Sequence, residues 1–220
     1  MRRLMTFFRL PLCLAACALG LASCDETQKA SAYDNWQARN EAFVDSLRTV
    51  AGDNFLTWQN PPTRAITDIG TDGMELGKLY ALLVQDGGNT GGQQYVYCKK
   101  LVDNPDGERV LYTDQVSIYY YGTLINNVSF DGNFDGWGAT DVLEPEDFTG
   151  RWYTDFDEPA TFTLTGIVSG FTWVLQHCRT GERWMVYIPW QSGYGSSDSN
   201  GIPGYSTLAF DFIVDSIVTE

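Results

Sequence analysis

A single histidine among 28 carboxylates limits the chemistry open to this 220-residue chain. His177 falls off the apolar stripe of a short helical pattern, which predicts it at the solvent surface. No His or Cys cluster has metal-ligand spacing. Nucleophile-and-base catalysis is therefore poorly supported, and no metal or cofactor is expected. Asp131, Asn133, Asp135 and Gly136 stand at positions 1, 3, 5 and 6 of a calcium-type loop. Position 12 is Val142 instead of the bidentate Glu such a site needs, so the stretch reads as an acidic solvated loop. Glycosidase-type carboxylate pairs find no support either, because no spacing singles out two acids. What remains is binding in an apolar and aromatic pocket.

The elements that would build such a pocket lie in the C-terminal half. Trp184, Val186 and Ile188 alternate onto one face, as do Leu208, Phe210, Phe212 and Val214, the period of strands with a buried side. Between them runs a Gly-, Ser- and Pro-rich loop with Tyr194 and Ile202 as its apolar members, too long for a tight hairpin. Further strands are expected at Leu79–Val84, Tyr95–Val102, Val110–Tyr112, Val116–Gly122 and Thr161–Leu164. Asn104-Pro105-Asp106-Gly107 supplies a turn. Phe171, Val174, Leu175 and Cys178 fall at i, i+3, i+4 and i+7, a helix of about two turns between Gly170 and Gly181. An earlier helix, 34–51, carries Trp36, Phe43, Leu47 and Val50 on one stripe, with Ser31 or Asp34 as N-cap and Gly52 as its stop. The stripe predicts packing on its own domain. The fold class is α+β, an antiparallel sheet over one short helix with an N-terminal helical extension.

The net charge of −14 excludes nucleic acid and anionic lipid headgroups as partners. Residues 1–24 have Arg2, Arg3 and an apolar run of signal-peptide type. Leu21-Ala22-Ser23-Cys24 resembles a bacterial lipobox, which implies acylation of Cys24 and a membrane contact through lipid alone. Cleavage there leaves 11 basic against 28 acidic residues, a charge of −17. Asp25 and Glu26 resemble surface-export signals of Bacteroidetes lipoproteins, which places the protein in the cell envelope, on the outer membrane, facing either side. The expected division is a signal peptide at 1–24, a tether and helical extension at 25–93, and the main domain at 94–220. Cys98 and Cys178 lie in apolar patterns and read as buried free thiols.

Several segments resemble, in order, the FKBP-type peptidyl-prolyl isomerase family. VSIYYYGTL is similar to its V-x-V-x-Y-x-G-x-L strand, SFD to its F-D pair, and IVSGFTWVLQHCRTGERWMVYIP to its V-I-x-G-W-x-x-A-L run. YIPWQSGYG followed by GIPGYSTLAFDF resembles its C-terminal signature. The likeness covers about Tyr95 to Val218. It implies an FKBP-like fold, isomerisation of X-Pro bonds in exported proteins, proline-containing polypeptides as partners, and macrolide ligands of the FK506 class. Carried over by position, Tyr120, Asp131 and Tyr194 take the catalytic places, with Asp131 facing the substrate carbonyl. Phe130, Ile167, Val168, Phe171, Ile202 and Phe210 line the pocket, and the Val168 N–H holds the substrate chain. The chain departs from the pattern at Phe171, where many members have Trp, and at Ala160, where an aromatic is usual. About twenty residues are inserted between Asp131 and Pro159, and Arg151 is the candidate to orient Asp131. Two other readings stay open: a non-catalytic binding or chaperone module of an outer-membrane assembly using the insertion around Trp137 and Trp152, and a carbohydrate-binding lipoprotein.

Overall fold

The computed structural model describes residues 31–56, 73–84 and 94–218; the leader and Cys24 lie outside them. Helix α1 (Trp36–Ala51) forms over the predicted stretch, and Gly52, at φ 53°, ends it with an N–H bonded to the Arg48 carbonyl. Its start differs from expectation: Asn35, in the left-handed region, occupies the N-cap without a side-chain cap bond. The stripe is also rotated. Val50 is exposed, whereas Asn40 is fully buried beside Trp36 and Leu47. Asn40 tolerates this because its side chain is hydrogen-bonded at both ends.

Among the described residues eight strands follow: β1 (Phe55–Leu56), β2 (Tyr80–Val84), β3 (Gln94–Val102), β4 (Gln115–Leu124), β5 (Ser129–Gly132), β6 (Ala160–Thr163), β7 (Arg183–Ile188) and β8 (Leu208–Val218). They form one sheet in the order β1-β2-β3-β7-β8-β4-β5, with β6 also pairing with β4. All pairs are antiparallel except β1 with β2, so the sheet is mixed at that edge. The segment Val110–Tyr112 is not a strand. The Val110 N–H bonds to the Cys178 carbonyl and that of Leu111 to the Asp114 carboxylate, which takes the backbone out of any ladder.

Helix α2 (Ser169–Leu175) covers one face of the sheet. Phe171, Val174 and Leu175 share a core with Val96, Ile118, Trp184, Val186, Phe210 and Phe212. Gly170 sets the approach, since a Cβ there would lie 2.4 Å from Ile188 Cγ2 and 3.0 Å from Val96 Cγ1. Cys178 sits beyond the helix, and both Cys178 and Cys98 are buried free thiols. His177 is 2% exposed, not at the surface as the stripe predicted. The chain tightens after Leu175, where the His177 N–H bonds to Val174 and that of Cys178 to Leu175, turning the imidazole inward. Its Nδ1 lies 2.8 Å from the Trp173 carbonyl, and burial lowers its pKa to about 4.

The other face is covered as well. Leu47, Ala51, Phe43 and Val44 of α1 pack with Tyr97, Met185, Tyr187 and Ala209, which makes β7 buried along its whole length. The insertion after β5 packs Phe134, Trp152 and Tyr153 on Tyr119 and Ile213. A charged pair pins it. Arg183 Nε and Nη2 donate to the two oxygens of Asp211 at 2.9 and 2.6 Å, and both side chains are wholly buried. Arg183 also donates to the carbonyls of Phe148, Gly150 and Arg151, while Asp211 accepts the Trp137 N–H at 2.8 Å. Every charge-bearing atom of the pair is thus engaged, as burial requires.

Candidate functional site

On the α2 side of the sheet, a cavity of about 380 Å³ is lined by Tyr120, Asp131, Phe162, Gly166, Ile167, Val168, Phe171, Tyr194 and Phe210. Strand register builds its floor. Gly122 of β4 lies opposite Asp131 of β5 on one side and opposite Phe210 of β8 on the other. Two residues further along β8 is Phe212, opposite Tyr120. Phe171 from α2 stacks on Phe210 at 4.9 Å and 8°, and Phe162 meets Tyr120 edge-on at 5.5 Å. Such offset and edge contacts fix ring planes, which makes the wall rigid.

Tyr120 is held through its backbone. Asn133 Oδ1 accepts the Tyr120 N–H at 2.7 Å and its Nδ2 donates to the Ile118 carbonyl at 3.1 Å, extending the ladder beyond the end of β5. Asn133 is therefore committed to β4. Asp135, two residues on, is exposed, and among the described residues no group of three His, Cys, Asp or Glu could hold a metal ion. The Tyr120 hydroxyl faces the Asp131 carboxylate, and burial together with that neighbouring carboxylate raises its pKa well above the usual phenol range. Asp131 Oδ1 also accepts the Gly132 N–H at 2.9 Å.

The two remaining sides are loops. Ile167 and Val168 precede α2 in extended conformations. Tyr194 follows a 3-10 turn (Trp190–Ser192), where the N–H groups of Gly193 and Gly195 both bond to the Trp190 carbonyl. It is 44% exposed, at the mouth of the cavity.

Of the residues singled out by sequence, Tyr120, Asp131, Ile167, Val168, Phe171, Tyr194 and Phe210 meet in this cavity. Phe130 and Ile202 stand behind it. Phe130 packs edge-on to Phe210 at 5.4 Å, and Ile202 is buried in the core beneath the loop. Arg151 does not orient Asp131. Its guanidinium donates to the Gly136 carbonyl and lies 4.3 Å from the Trp137 ring centroid. Phe162 and Gly166 were not foreseen. The signal for Phe162 is its alternation with Ala160: two residues along β6, it puts an aromatic on the wall where the pattern at 160 has none.

Residues 107–214 match the family model for FKBP-type peptidyl-prolyl cis-trans isomerase. Among curated proteins, the chain is 29% identical over 127 residues to FKBP-type peptidyl-prolyl cis-trans isomerase FkpA of Escherichia coli, covering 58% of this chain and 39% of that protein. It is 41% identical over 105 residues to the macrophage infectivity potentiator of Trypanosoma cruzi, covering 47% and 43%. The chain thus spans about two fifths of the length of these relatives. Among solved structures, a peptidyl-prolyl cis-trans isomerase of Pseudomonas syringae aligns over 87% of this chain and 99% of its own, with a TM-score of 0.50 and 16% identity. FkpA of Escherichia coli aligns over 84% and 62%, with a TM-score of 0.50 and 22% identity. Those two likenesses show the fold. The ordered motifs, the sheet over α2 and the family match agree: residues 107–214 carry the pattern of the FKBP-type peptidyl-prolyl cis-trans isomerase family.

Proposed function

We propose that the protein is a peptidyl-prolyl cis-trans isomerase acting on X-Pro bonds of exported polypeptides. One observation carries this reading: among the described residues, a cavity walled by Tyr120, Phe162, Phe171 and Phe210 has Asp131 as its one charged side chain and the hydroxyls of Tyr120 and Tyr194 as its other polar side-chain groups. An X-Pro amide resists rotation by about 18 to 20 kcal/mol because its C–N bond shares electrons with the carbonyl. The planar form is the more polar one and needs more solvation. Dry aromatic walls disfavour it relative to the twisted form, whose nitrogen is pyramidal and whose carbonyl is ketone-like. A barrier lowered by about 4 kcal/mol corresponds to roughly a thousandfold acceleration.

In this reading the proline ring sits on Phe171 and Phe210, with Ile167 at its side and Phe130 and Ile202 backing the wall. Asp131 faces the substrate carbonyl, Tyr120 holds Asp131, Tyr194 donates its hydroxyl and the Val168 N–H anchors the peptide. Rotation about one bond forms no covalent intermediate, so the residues named suffice without a cofactor. Macrolides of the FK506 class would compete for the same cavity.

The test is a proline-isomerisation assay on the purified protein with an X-Pro tetrapeptide. Catalysis that falls at least tenfold in Asp131→Ala and in Phe210→Ala supports the reading. A rate equal to buffer sinks it, and peptide binding without acceleration leaves a non-catalytic binding module. The site context is part of the same proposal: the chain is exported, acylated at Cys24 and anchored on the outer membrane of the cell envelope. Its support is the Leu21-Ala22-Ser23-Cys24 motif after the Arg2-Arg3 leader. Metabolic labelling with a fatty acid should mark the wild type and not Cys24→Ser; equal labelling refutes the anchor.

A further inference from the structure

Helix α1 precedes the segment that matches the family model, which begins at residue 107. Its buried end reaches the loop that carries Tyr194. Asn40 Nδ2 donates to the Trp36 carbonyl at 2.8 Å, which fixes the orientation of the amide and turns Oδ1 outward. That oxygen accepts the Thr207 N–H at 2.7 Å, and both Asn40 and Thr207 are fully buried. One turn earlier, Trp36 Nε1 donates to Ser206 Oγ at 2.8 Å, and Ser206 passes the bond on to the Pro203 carbonyl at 2.6 Å. Two side chains of α1 thus hold the C-terminal stem of the loop, across 167 and 170 residues of chain.

The stem in turn touches the segment bearing Tyr194. The Tyr205 N–H bonds to the Gly195 carbonyl at 3.0 Å, and the Tyr205 ring meets Trp190 edge-on at 5.1 Å. Gly204 lies so close to the Ser196 carbonyl that a Cβ would be 2.2 Å from its oxygen. Trp190 and Gln191 at the N-terminal stem line a small groove with Asn40, Glu41, Val44, Asp45 and Arg48 of the same helix. Both stems of the loop are therefore against α1. A loop of this length would otherwise sample many conformations.

We propose that α1 is a working part of the site, with Asn40 and Trp36 as positioning residues that hold the 189–207 loop so that Tyr194 stands at the cavity mouth. This rests on the isomerase reading given above. Misplacing a substrate-contacting group by about 1 Å can cost up to a hundredfold in rate. Partial release of one stem should therefore cost roughly tenfold.

The test uses full-length protein in detergent micelles, with Asn40→Ala, Trp36→Phe, Tyr194→Ala and the double variant Asn40→Ala/Tyr194→Ala. Asn40→Ala and Trp36→Phe should each lower kcat/KM roughly tenfold. Gln37→Ala, on the exposed side of α1, should leave it unchanged. Because Asn40 acts through Tyr194, its loss should cost nothing further in the Tyr194→Ala background. Amide hydrogen exchange should rise at Tyr205 and Thr207 while β7 and β8 stay protected. An additive double variant, or exchange that rises equally in β7 and β8, overturns the proposal. Should the wild type show no isomerisation, the isomerase reading fails alone; the exchange comparison still decides whether α1 braces the loop, and unchanged protection at Tyr205 and Thr207 refutes it.

Discussion

A methyl group on Gly122 would sit 2.8 Å from the Phe130 ring and 3.0 Å from that of Phe210. The absent side chain is what lets those rings meet edge-on behind the cavity. Gly122→Ala should force one of them off its rotamer, costing about 1 to 3 kcal/mol of stability. It should also weaken binding of a proline peptide, because Phe210 stacks on Phe171. Urea unfolding paired with a peptide titration checks this; an alanine that leaves both unchanged would show that the rings have slack. At this scale most of the cavity could be read from motifs, since Tyr120, Asp131, Phe171 and Phe210 each stand in a patterned run. Phe162 could not, because attention falls on Ala160 and the compensating ring is two residues away. His177 departs from the pattern for a different reason: a helical stripe through Cys178 requires a helix that in fact ends at Leu175.

Among the elements, the insertion after β5 depends most on a single pair. Arg183 and Asp211 alternate with apolar residues in β7 and β8, and nothing in strand periodicity says that a charge there points into a covered face. Their role became visible only with the insertion seated over them. Arg183→Met should leave the Asp211 carboxylate buried without its partner, at a cost of about 3 to 5 kcal/mol. Arg183→Met with Asp211→Leu should restore much of that. A double variant as unstable as the single one would count against the pair as the pin, and chemical denaturation distinguishes the two. The α2 end adds a pH term. His177 has a folded-state pKa of about 4 against an ordinary value of 6.5, so between those values the unfolded chain binds the extra proton. Stability from this group is present above about pH 6.5 and is lost as pH falls to 4, on the order of 3 kcal/mol in all. Burial raises the carboxyls of Glu182 and Asp211, which contribute the opposite sign. The His177 share is therefore the difference between wild type and His177→Gln in unfolding free energy from pH 4 to 7. Parallel curves for the two would show that the imidazole does not titrate in this way. The helix and strands themselves were largely legible, because one-sided and two-sided apolar runs survive in the sequence. The two-residue β1, its parallel pairing with β2 and the rotation of α1 were not, since they depend on contacts with residues far along the chain.

Over the whole molecule, charge is the property that needs no fold to be counted, yet its consequence depends on where the cavity lies. Between Val110 and Cys178 there are ten carboxylates and one guanidinium, Arg151, and that guanidinium is engaged by Gly136 and Trp137. Among the described residues, the only charged one lining the cavity is Asp131. A peptide approaching through this field is drawn in if cationic and repelled if anionic, while the chemistry of rotation, carried by apolar walls, is indifferent to the sign. The effect should therefore fall on encounter and binding. In the isomerase reading, tetrapeptides flanked by Lys should show a kcat/KM several-fold above those flanked by Glu at about 0.01 M salt, where screening acts only beyond about 30 Å. The two should converge near 1 M salt, where the screening length is about 3 Å, and kcat should differ little throughout. A ratio that stays constant with salt would locate the preference in a specific contact, with Asp131→Asn as the direct check; equal values at low salt would mean the carboxylates of the insertion are turned too far from the cavity to be felt there.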